Sequence, residues 1–320
     1  MIFSTTSRLV SRITLRLFAL LTLLIGSTIA SGQPELFAVE NSRSMQWLNN
    51  IQGLQSSSSD SALLNVLLSI HYRPSYPLIS LYEAEYTETQ NRLILSSFIY
   101  QCTNYPEISY CEDALLESRL LELDSDNFVP YLHLFNHYLA QGDVDSALAI
   151  LKAGLKTEET NDYYFEKVMY LRDELSSSIE FVGSRANLAA EIYSLNGLVQ
   201  TYISIIPICV EQATISQEWR DVCLELSLRL EQGITFFSNV YGAAIRRDVV
   251  SATSSDEIEI QAAVRHRRYY DEFRISARLN LSWWDDPAGR PNSFYGNAAV
   301  FGELRAIEME IEQAKKDRNE

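Results

Sequence analysis

The apolar side chains of this chain recur mostly at helical spacing. Over residues 112–157, hydrophobic positions fall three or four residues apart in three successive segments, which indicates helices that each bury one face. The same spacing covers most of the chain, between short polar or proline-containing stretches. It predicts helices over residues 42–54, 61–72, 78–87, 90–103, 112–123, 128–141, 144–156, 161–176, 185–206, 216–232, 234–248, 256–281 and 297–316.

Several helix ends are predicted from single residues. Pro207 is expected to end the helix over 185–206, because proline lacks the N–H that a helix interior needs. Ser254 and Glu257 have the spacing of a capping box at the start of the next long helix. The last helix is expected to run unbroken to residue 316. Its buried stripe would comprise Val300, Leu304, Ile307, Ile311 and Ala314.

Glycine and proline are scarce in the sequence. The chain has 12 glycines and 8 prolines in 320 residues, about half the usual share of these two residues. An all-β protein needs many tight turns, which these residues supply, and no segment combines strand-type alternation with turn residues. We therefore predict an all-α fold.

The charge balance is strongly acidic. Asp and Glu number 42 against 26 Lys and Arg, which gives a formal net charge of −16 at pH 7. Nucleic acids are bound mainly through clustered Lys and Arg side chains on their phosphates. The balance therefore argues against a nucleic-acid-binding protein.

The first thirty residues have the pattern of a secretory signal peptide. Three arginines precede an apolar run over 17–30, and cleavage after Ala30 or Gly32 fits equally well. An anchor that stays uncleaved is the alternative, but such a helix spans about 21 Å, less than a hydrocarbon core of about 30 Å. We expect a signal peptide over 1–30, a linker over 31–40, and a periplasmic or secreted protein, soluble after cleavage, with no later membrane span.

The chain has four cysteines, Cys102, Cys111, Cys209 and Cys223. Sequence alone allows three pairings. The local pairing, Cys102–Cys111 and Cys209–Cys223, is favoured because each pair brackets a predicted helix–loop–helix corner. Metal binding is the alternative, but neither spacing is C-x-x-C and the chain has only 4 histidines. We therefore predict two structural disulfides.

Residues 112–157 resemble tetratricopeptide repeats. The sequence NFVPYLHLFNHYLAQGDVDSALAILKAGLKT places Gly142 at the turn between two helices. The residues before it are similar to the second helix of another unit, and Ala114 precedes Ala147 by 33 positions, close to the family's period of about 34. The positions that match the packing residues of the repeat are Tyr131, Leu134, Tyr138, Ala147, Leu151 and Leu155.

The resemblance implies stacked helix pairs with a concave surface that holds a peptide or a partner protein. The family's groove positions fall on Val129, Leu132, Asn136, Leu139 and Ala140. The basic residues with which some members grip a carboxylate have no counterpart here, so a C-terminal carboxylate ligand is not implied. The alternative is that the groove leucines bury against the next helix of the same chain.

The layout of the whole chain resembles exported helical proteins of Gram-negative bacteria, and this second resemblance implies no activity. The tetratricopeptide-like part covers about one and a half repeats. Within it, Phe135 and Gly154 depart from the family pattern. We expect a TPR-like helical region over 41–180 that continues, as an α-solenoid, into a C-terminal helical bundle over 184–320.

A second candidate surface lies between residues 265 and 286. The segment RHRRYYDEFRISAR concentrates arginines in an acidic protein, and a tryptophan pair follows it. Guanidinium groups bind anions by bidentate hydrogen bonds. The alternatives are that the arginines neutralise acidic neighbours and that the tryptophans plug the core. The candidate anion or ligand patch comprises Arg265, Arg267, Arg268, Arg274, Trp283 and Trp284.

His133 and His137 lie one helical turn apart and are the only pattern that suggests a metal. The sequence lacks the glutamate of H-E-x-x-H, and no third ligand stands out. We predict no metal site.

The sequence has no nucleophile elbow, phosphate-binding loop or dinucleotide fingerprint. We therefore expect an exported protein–protein interaction module without catalytic activity or cofactor, whose partner is a protein or peptide of the cell envelope. The alternatives are an envelope ligand-binding protein or enzyme that uses the arginine helix and the tryptophan loop, and a purely structural helical domain of a larger assembly.

Overall fold

The structure, a computed structural model, describes residues 91–104, 115–176, 190–191, 194, 201–202, 204–284 and 289–318. All of these residues belong to one unit, Ser61–Glu320. The predicted signal peptide, the linker and the first three predicted helices lie outside the described ranges, as does the boundary expected between residues 180 and 184.

Eleven helices and no strand lie in the described ranges, which confirms the all-α prediction for this part of the chain. None of these helices is long and apolar enough to cross a membrane. The helices are α1 (Arg92–Asn104), α2 (Leu115–Leu123), α3 (Phe128–Ala140), α4 (Val144–Gly154), α5 (Tyr164–Ser176), α6 (Ile205–Ile215), α7 (Gln217–Glu231), α8 (Phe236–Thr253), α9 (Glu257–Asn280), α10 (Asn292–Phe301) and α11 (Glu303–Asp317).

Helices α1 to α4 pack against one another in chain order. The turn of the α3–α4 hairpin contains Gly142, whose φ of +77° confirms the predicted turn glycine. Gly154 lies against the first helix of the hairpin, where an added Cβ would approach Tyr131 Cβ to 2.6 Å. The core shared by α1, α2 and α3 contains Ile94, Leu95, Phe98, Ile99, Leu116, Leu120, Val129 and Tyr163.

Two asparagines 34 residues apart begin α3 and the segment before α5 in the same way. Asn127 Oδ1 accepts a hydrogen bond from Val129 N at 3.2 Å, and Asn161 Oδ1 accepts one from Tyr163 N at 2.9 Å. Asn127 Nδ2 also donates to the Asn161 carbonyl oxygen at 2.8 Å. The two helix starts are therefore tied directly to each other.

Helices α6 and α7 are joined by the predicted Cys209–Cys223 disulfide, with the two Cα atoms 5.7 Å apart. Cys102 is also disulfide-bonded, whereas Cys111, its predicted partner, lies outside the described residues. The prediction that Pro207 ends a helix is wrong, because α6 begins at Ile205 and contains Pro207 in its first turn. The N–H groups of a first turn have no acceptor within the helix, so a proline there removes no hydrogen bond.

The start of α9 also differs from the prediction. Asp256 is its N-cap and accepts a hydrogen bond from Ile258 N at 2.9 Å, whereas Ser254 follows the last residue of α8 and accepts from Asp256 N at 3.1 Å. The predicted capping box of Ser254 and Glu257 is therefore wrong. A carboxylate placed immediately before the first turn takes the free helix N–H instead.

The helix expected over 297–316 is broken at Gly302, so this prediction is wrong as well. Gly302 has a φ of +82°, which ends α10 and starts α11. Glu303 stabilises the break, because its backbone N donates to the Ile234 carbonyl oxygen at 2.7 Å and its Oε2 accepts from Phe236 N at 2.7 Å. Long-range hydrogen bonds of this kind leave no signal in hydrophobic spacing.

Gly242 sets the distance between α7 and α8. A Cβ at this position would lie 2.5 Å from the Ser227 carbonyl oxygen and 2.9 Å from Glu231 N. We expect Gly242→Ala to lower the free energy of unfolding by about 1–3 kcal/mol, because two helix backbones must separate. Gly296 is the matched control, since no atom lies within 4 Å of its added Cβ, and Gly296→Ala should stabilise by about 0.5–1 kcal/mol. Urea unfolding of both variants measures these free-energy changes. Equal effects of the two substitutions would contradict the close approach of α7 and α8.

Glu303 should make stability depend on pH. Burial raises the pKa of its carboxyl to about 7, so between pH 4.5 and 7 the folded chain holds a proton that the unfolded chain has lost. Stability from this group is therefore greatest at low pH and falls by roughly 3 kcal/mol as pH rises through that window.

The variant Glu303→Gln keeps an acceptor for Phe236 N but carries no charge. We expect it to be more stable than the wild type at pH 8, with the difference shrinking towards pH 5. Urea unfolding at both pH values tests this, with the exposed Glu312→Gln as the control. If the two proteins differed in free energy of unfolding by the same amount at pH 5 and pH 8, the prediction would be wrong.

Candidate functional site

Helix α9 is attached to the rest of the fold by a narrow seam. In its 24 residues, Ala263, Tyr270 and Ala277 are the ones that are buried, and they follow one another at seven-residue intervals. The helix packs mainly on α8, with further contacts to α11. A seven-residue repeat buries a much narrower strip than the usual apolar face of a surface helix. In the part of the chain that the structure describes, half of the residues of α9 are therefore exposed to solvent.

Polar contacts fix the orientation of α9 on this seam. Near its start, Arg220 Nη2 donates to Glu259 Oε1 at 3.1 Å. In its middle, His266 Nε2 contacts the carboxylate oxygen Oε2 of Glu231. At its end, Asn280 Oδ1 accepts from Arg318 at 2.8 Å. These contacts fix which side of α9 faces the solvent.

Seven residues form an exposed line along α9, called here the outer stripe. They follow one another at alternating steps of three and four, and every one of them is solvent-exposed. Ile258 and Leu279, at its two ends, are each 77% exposed. Ile275 is 55% exposed. The outer stripe comprises Ile258, Gln261, Arg265, Arg268, Glu272, Ile275 and Leu279.

The predicted arginine patch is divided by the helix geometry. Arg265 and Arg268 lie in the outer stripe, and within the described ranges neither has a hydrogen-bond or ion-pair partner. Arg267 lies on another side and pairs with Asp271 at 2.8 Å. Arg274 is exposed but lies roughly opposite the stripe, half a turn of the helix away. Two of the four predicted arginines therefore share one face.

The tryptophan pair does not join this face. Trp283 is buried with its ring 5.1 Å from that of Phe294, and Arg290 lies over it at 5.4 Å. Trp284 is half-buried, with its ring 6.4 Å from that of Phe236. The arginine seen over Trp283 thus comes from the segment before α10 and not from α9.

The predicted groove residues of α3 have mixed surroundings. Val129 and Leu132 are buried within this chain. Asn136 donates to the Thr201 carbonyl oxygen at 3.3 Å and its Oδ1 accepts from Ser204 at 3.0 Å. The two groove positions at the end of the helix are more accessible: Leu139 is half-buried and Ala140 is exposed. Partner binding at these five positions stays a prediction.

The two histidines of α3 lie in different surroundings. His137 Nδ1 is 3.7 Å from Glu117 Oε1, and burial raises the pKa of Glu117 to about 7. His133 is partly buried on the side of α3 that faces α5. In the part of the chain that the structure describes, no group of three potential metal ligands occurs.

Comparison with known proteins assigns no relative. No family model, no curated protein and no solved structure matches this chain.

Sequence spacing missed two groups of polar residues. One surrounds Arg290, which donates to Glu191 Oε1 at 2.9 Å although the two residues are 99 positions apart in the sequence. The other surrounds Lys167, a buried lysine of α5. Lys167 lies on the same side of the helix as the buried Tyr164 and Leu171, and this charge on an apolar stripe was the signal that could have identified it.

Proposed function

We propose that this protein is an exported interaction module that binds an amphipathic helix of a partner protein along the outer stripe of α9. The observation that carries the proposal is the alternating three- and four-residue spacing of seven exposed residues. Helices that pack against other helices use this spacing, because it keeps one line of side chains facing the partner. Ile275 and Leu279 lie one turn apart on this face, and exposed apolar side chains grouped in this way are typical of interaction sites.

The charges of the stripe indicate the chemistry of the partner. Ile258 at one end, with Ile275 and Leu279 at the other, would contact apolar side chains. Arg265 and Arg268 lie between them and would pair with carboxylates, as guanidinium groups do at interfaces. The partner helix is thus expected to be apolar at both ends and acidic opposite the two arginines, with no acidic residue opposite Glu272.

Export and the repeat-like hairpin are part of the same proposal. The basic and apolar pattern of residues 1–30 supports a signal peptide, and the Cys209–Cys223 bridge is compatible with an oxidising compartment. The turn at Gly142 and the matching side-chain hydrogen bonds of Asn127 and Asn161 support a TPR-like unit. This hairpin would act as scaffold, since two of its predicted groove residues, Val129 and Leu132, are buried within the chain.

A second copy of this chain is the main competing occupant. In an antiparallel pairing, Ile258 of one copy would lie opposite Leu279 of the other, and Arg265 would lie opposite Glu272. The two copies of Arg268 would then meet near the twofold axis, where like charges repel. A different protein with acidic central residues avoids this repulsion, and we favour it for that reason.

Site-specific photo-crosslinking in cells tests the proposal. A photoreactive phenylalanine analogue at position 272 should capture one dominant partner, whereas the same analogue at Ile215, which is 73% exposed on α6, should not. Ile275→Glu with Leu279→Glu should weaken capture by tenfold or more, on the order of a hot-spot loss. Ile215→Glu is the matched control for adding charge at an exposed apolar position and should leave capture unchanged.

The mass of the captured species separates the competing outcomes. A crosslinked species of twice the chain's own mass, with a dimer in light scattering, would replace the proposed partner by a second copy. Equal crosslinking at positions 272 and 215, or full capture by the doubly charged variant, would remove the outer stripe as the binding surface.

A further inference from the structure

A small pocket lies between α1, α3 and α5. Its free interior measures about 20 Å³, the space that one or two water-sized groups fill. Ser194, Thr201 and Tyr202, which precede α6, also line it. Its polar lining includes Ser96, His133, Asp162, Lys167, Ser194 and Tyr202.

Three hydrogen-bond donors of this pocket are unused. The side chain of Lys167 is buried, and no ion pair or hydrogen bond holds its ammonium group among the described residues. Ser194 is also buried, and its Oγ has no hydrogen-bond partner. The ring of His133 likewise has no partner within the described part of the chain. These groups come from three separate segments and line one space.

The acceptor of the pocket, in contrast, is already in use. Asp162 Oδ2 accepts from Thr235 Oγ1 at 2.6 Å and from the Tyr202 hydroxyl at 3.5 Å. Its Oδ1 accepts from Tyr164 N at 3.2 Å. The carboxylate is therefore fixed as part of the wall, near Lys167 but without an ion pair or hydrogen bond to its ammonium group. Its two oxygens are occupied by donors other than Lys167, Ser194 and His133.

The protonation states agree with this assignment. Burial lowers the pKa of Lys167 to about 8, while nearby Asp162 and Glu166 favour its charged form, so the ammonium is mostly protonated at pH 7. Burial and the positive charge of Lys167 lower the pKa of His133 well below its usual range, so the ring is neutral and keeps one N–H to donate. Burying a cation without a hydrogen-bonded partner is costly. The nearby Asp162 offsets part of that cost, and an anion hydrogen-bonded in the pocket would offset more.

We propose that this pocket binds a small carboxylate anion, held by the ammonium of Lys167 with hydrogen bonds from Ser194 and His133. The space admits an anion of the size of formate and excludes a phosphate ester or an aromatic acid. This site is independent of the outer stripe of α9, and its ligand is bound in the interior of the fold and not at a protein interface.

Thermal unfolding and calorimetry of the full chain with sodium formate test the assignment. Formate should raise Tm in a saturable way and titrate with one site per chain. The sodium salt of a bulky sulfonate, at the same ionic strength, should not. Chloride should bind more weakly than formate, because it offers no second oxygen to Ser194 and His133. Equal responses to formate and chloride would show a site for charge alone and overturn the carboxylate assignment.

Two variants and a control keep the test independent of folding. Lys167→Met removes the charge but keeps the length of the side chain, so it should fold with equal or higher stability in anion-free buffer and lose the formate response. Ser194→Ala should weaken the response without removing it. Lys152→Met removes an exposed lysine that pairs with Glu218 and should respond as the wild type does. A full formate response in Lys167→Met, or none in the wild type, would overturn the proposal.

Discussion

The seam formed by Ala263, Tyr270 and Ala277 determines what the rest of this protein can present to its surroundings. These two alanines and the tyrosine are the fully buried residues of α9, and half-buried neighbours such as Phe273 add to the contact. Because so few of its residues are fully buried, the helix is held in place while half of its residues stay exposed. A broader apolar face would have buried the outer stripe against the fold.

An aromatic chain connects the seam to the rest of the core. Tyr270 packs against Phe236 at 6.3 Å between ring centroids, and Phe236 packs against Trp284. The backbone N–H of Phe236 also donates a hydrogen bond to Glu303 Oε2. The position of α9 therefore depends on the break between α10 and α11, and a change at that break would be felt along the outer stripe.

Buried polar groups of the same core differ in whether they have partners. Glu191 accepts from Arg290 at 2.9 Å and from the Tyr295 hydroxyl, and Arg290 stacks on Trp283 and Phe294. This charge pair is thus enclosed and hydrogen-bonded within the chain. Lys167 has no such partner in the described residues. Arg290 thus has a direct ion-pair partner, whereas Lys167 has only nearby carboxylates with which its ammonium forms no hydrogen bond, and this difference favours a ligand at Lys167.

Much of the fold could be predicted from periodicity, because helices such as α3 and α4 bury one face at regular intervals. The turn at Gly142 and the Cys209–Cys223 bridge were predictable for the same local reasons. The break at Gly302 was not, since it depends on Glu303 reaching Ile234 and Phe236 across the fold.

The candidate site was predicted only in part. Arginines in the α9 segment were visible in the composition, but the hydrophobic pattern does not tell which side of an exposed helix is covered. Helix geometry alone puts Arg265 and Arg268 on a different side from Arg267, but only the packing on α8 shows that their side is exposed. The pocket at Lys167 required contacts between residues far apart in the chain, which spacing does not encode.

Hydroxyl-radical footprinting of the protein in cells, compared with the purified protein, tests most directly that α9 is a binding surface. The account predicts that Ile275 and Leu279 are oxidised readily in the purified chain and are protected in cells. Ile215 and Leu228, which are exposed on other helices, should be labelled equally in both. Equal labelling of α9 in cells and in solution would contradict the account.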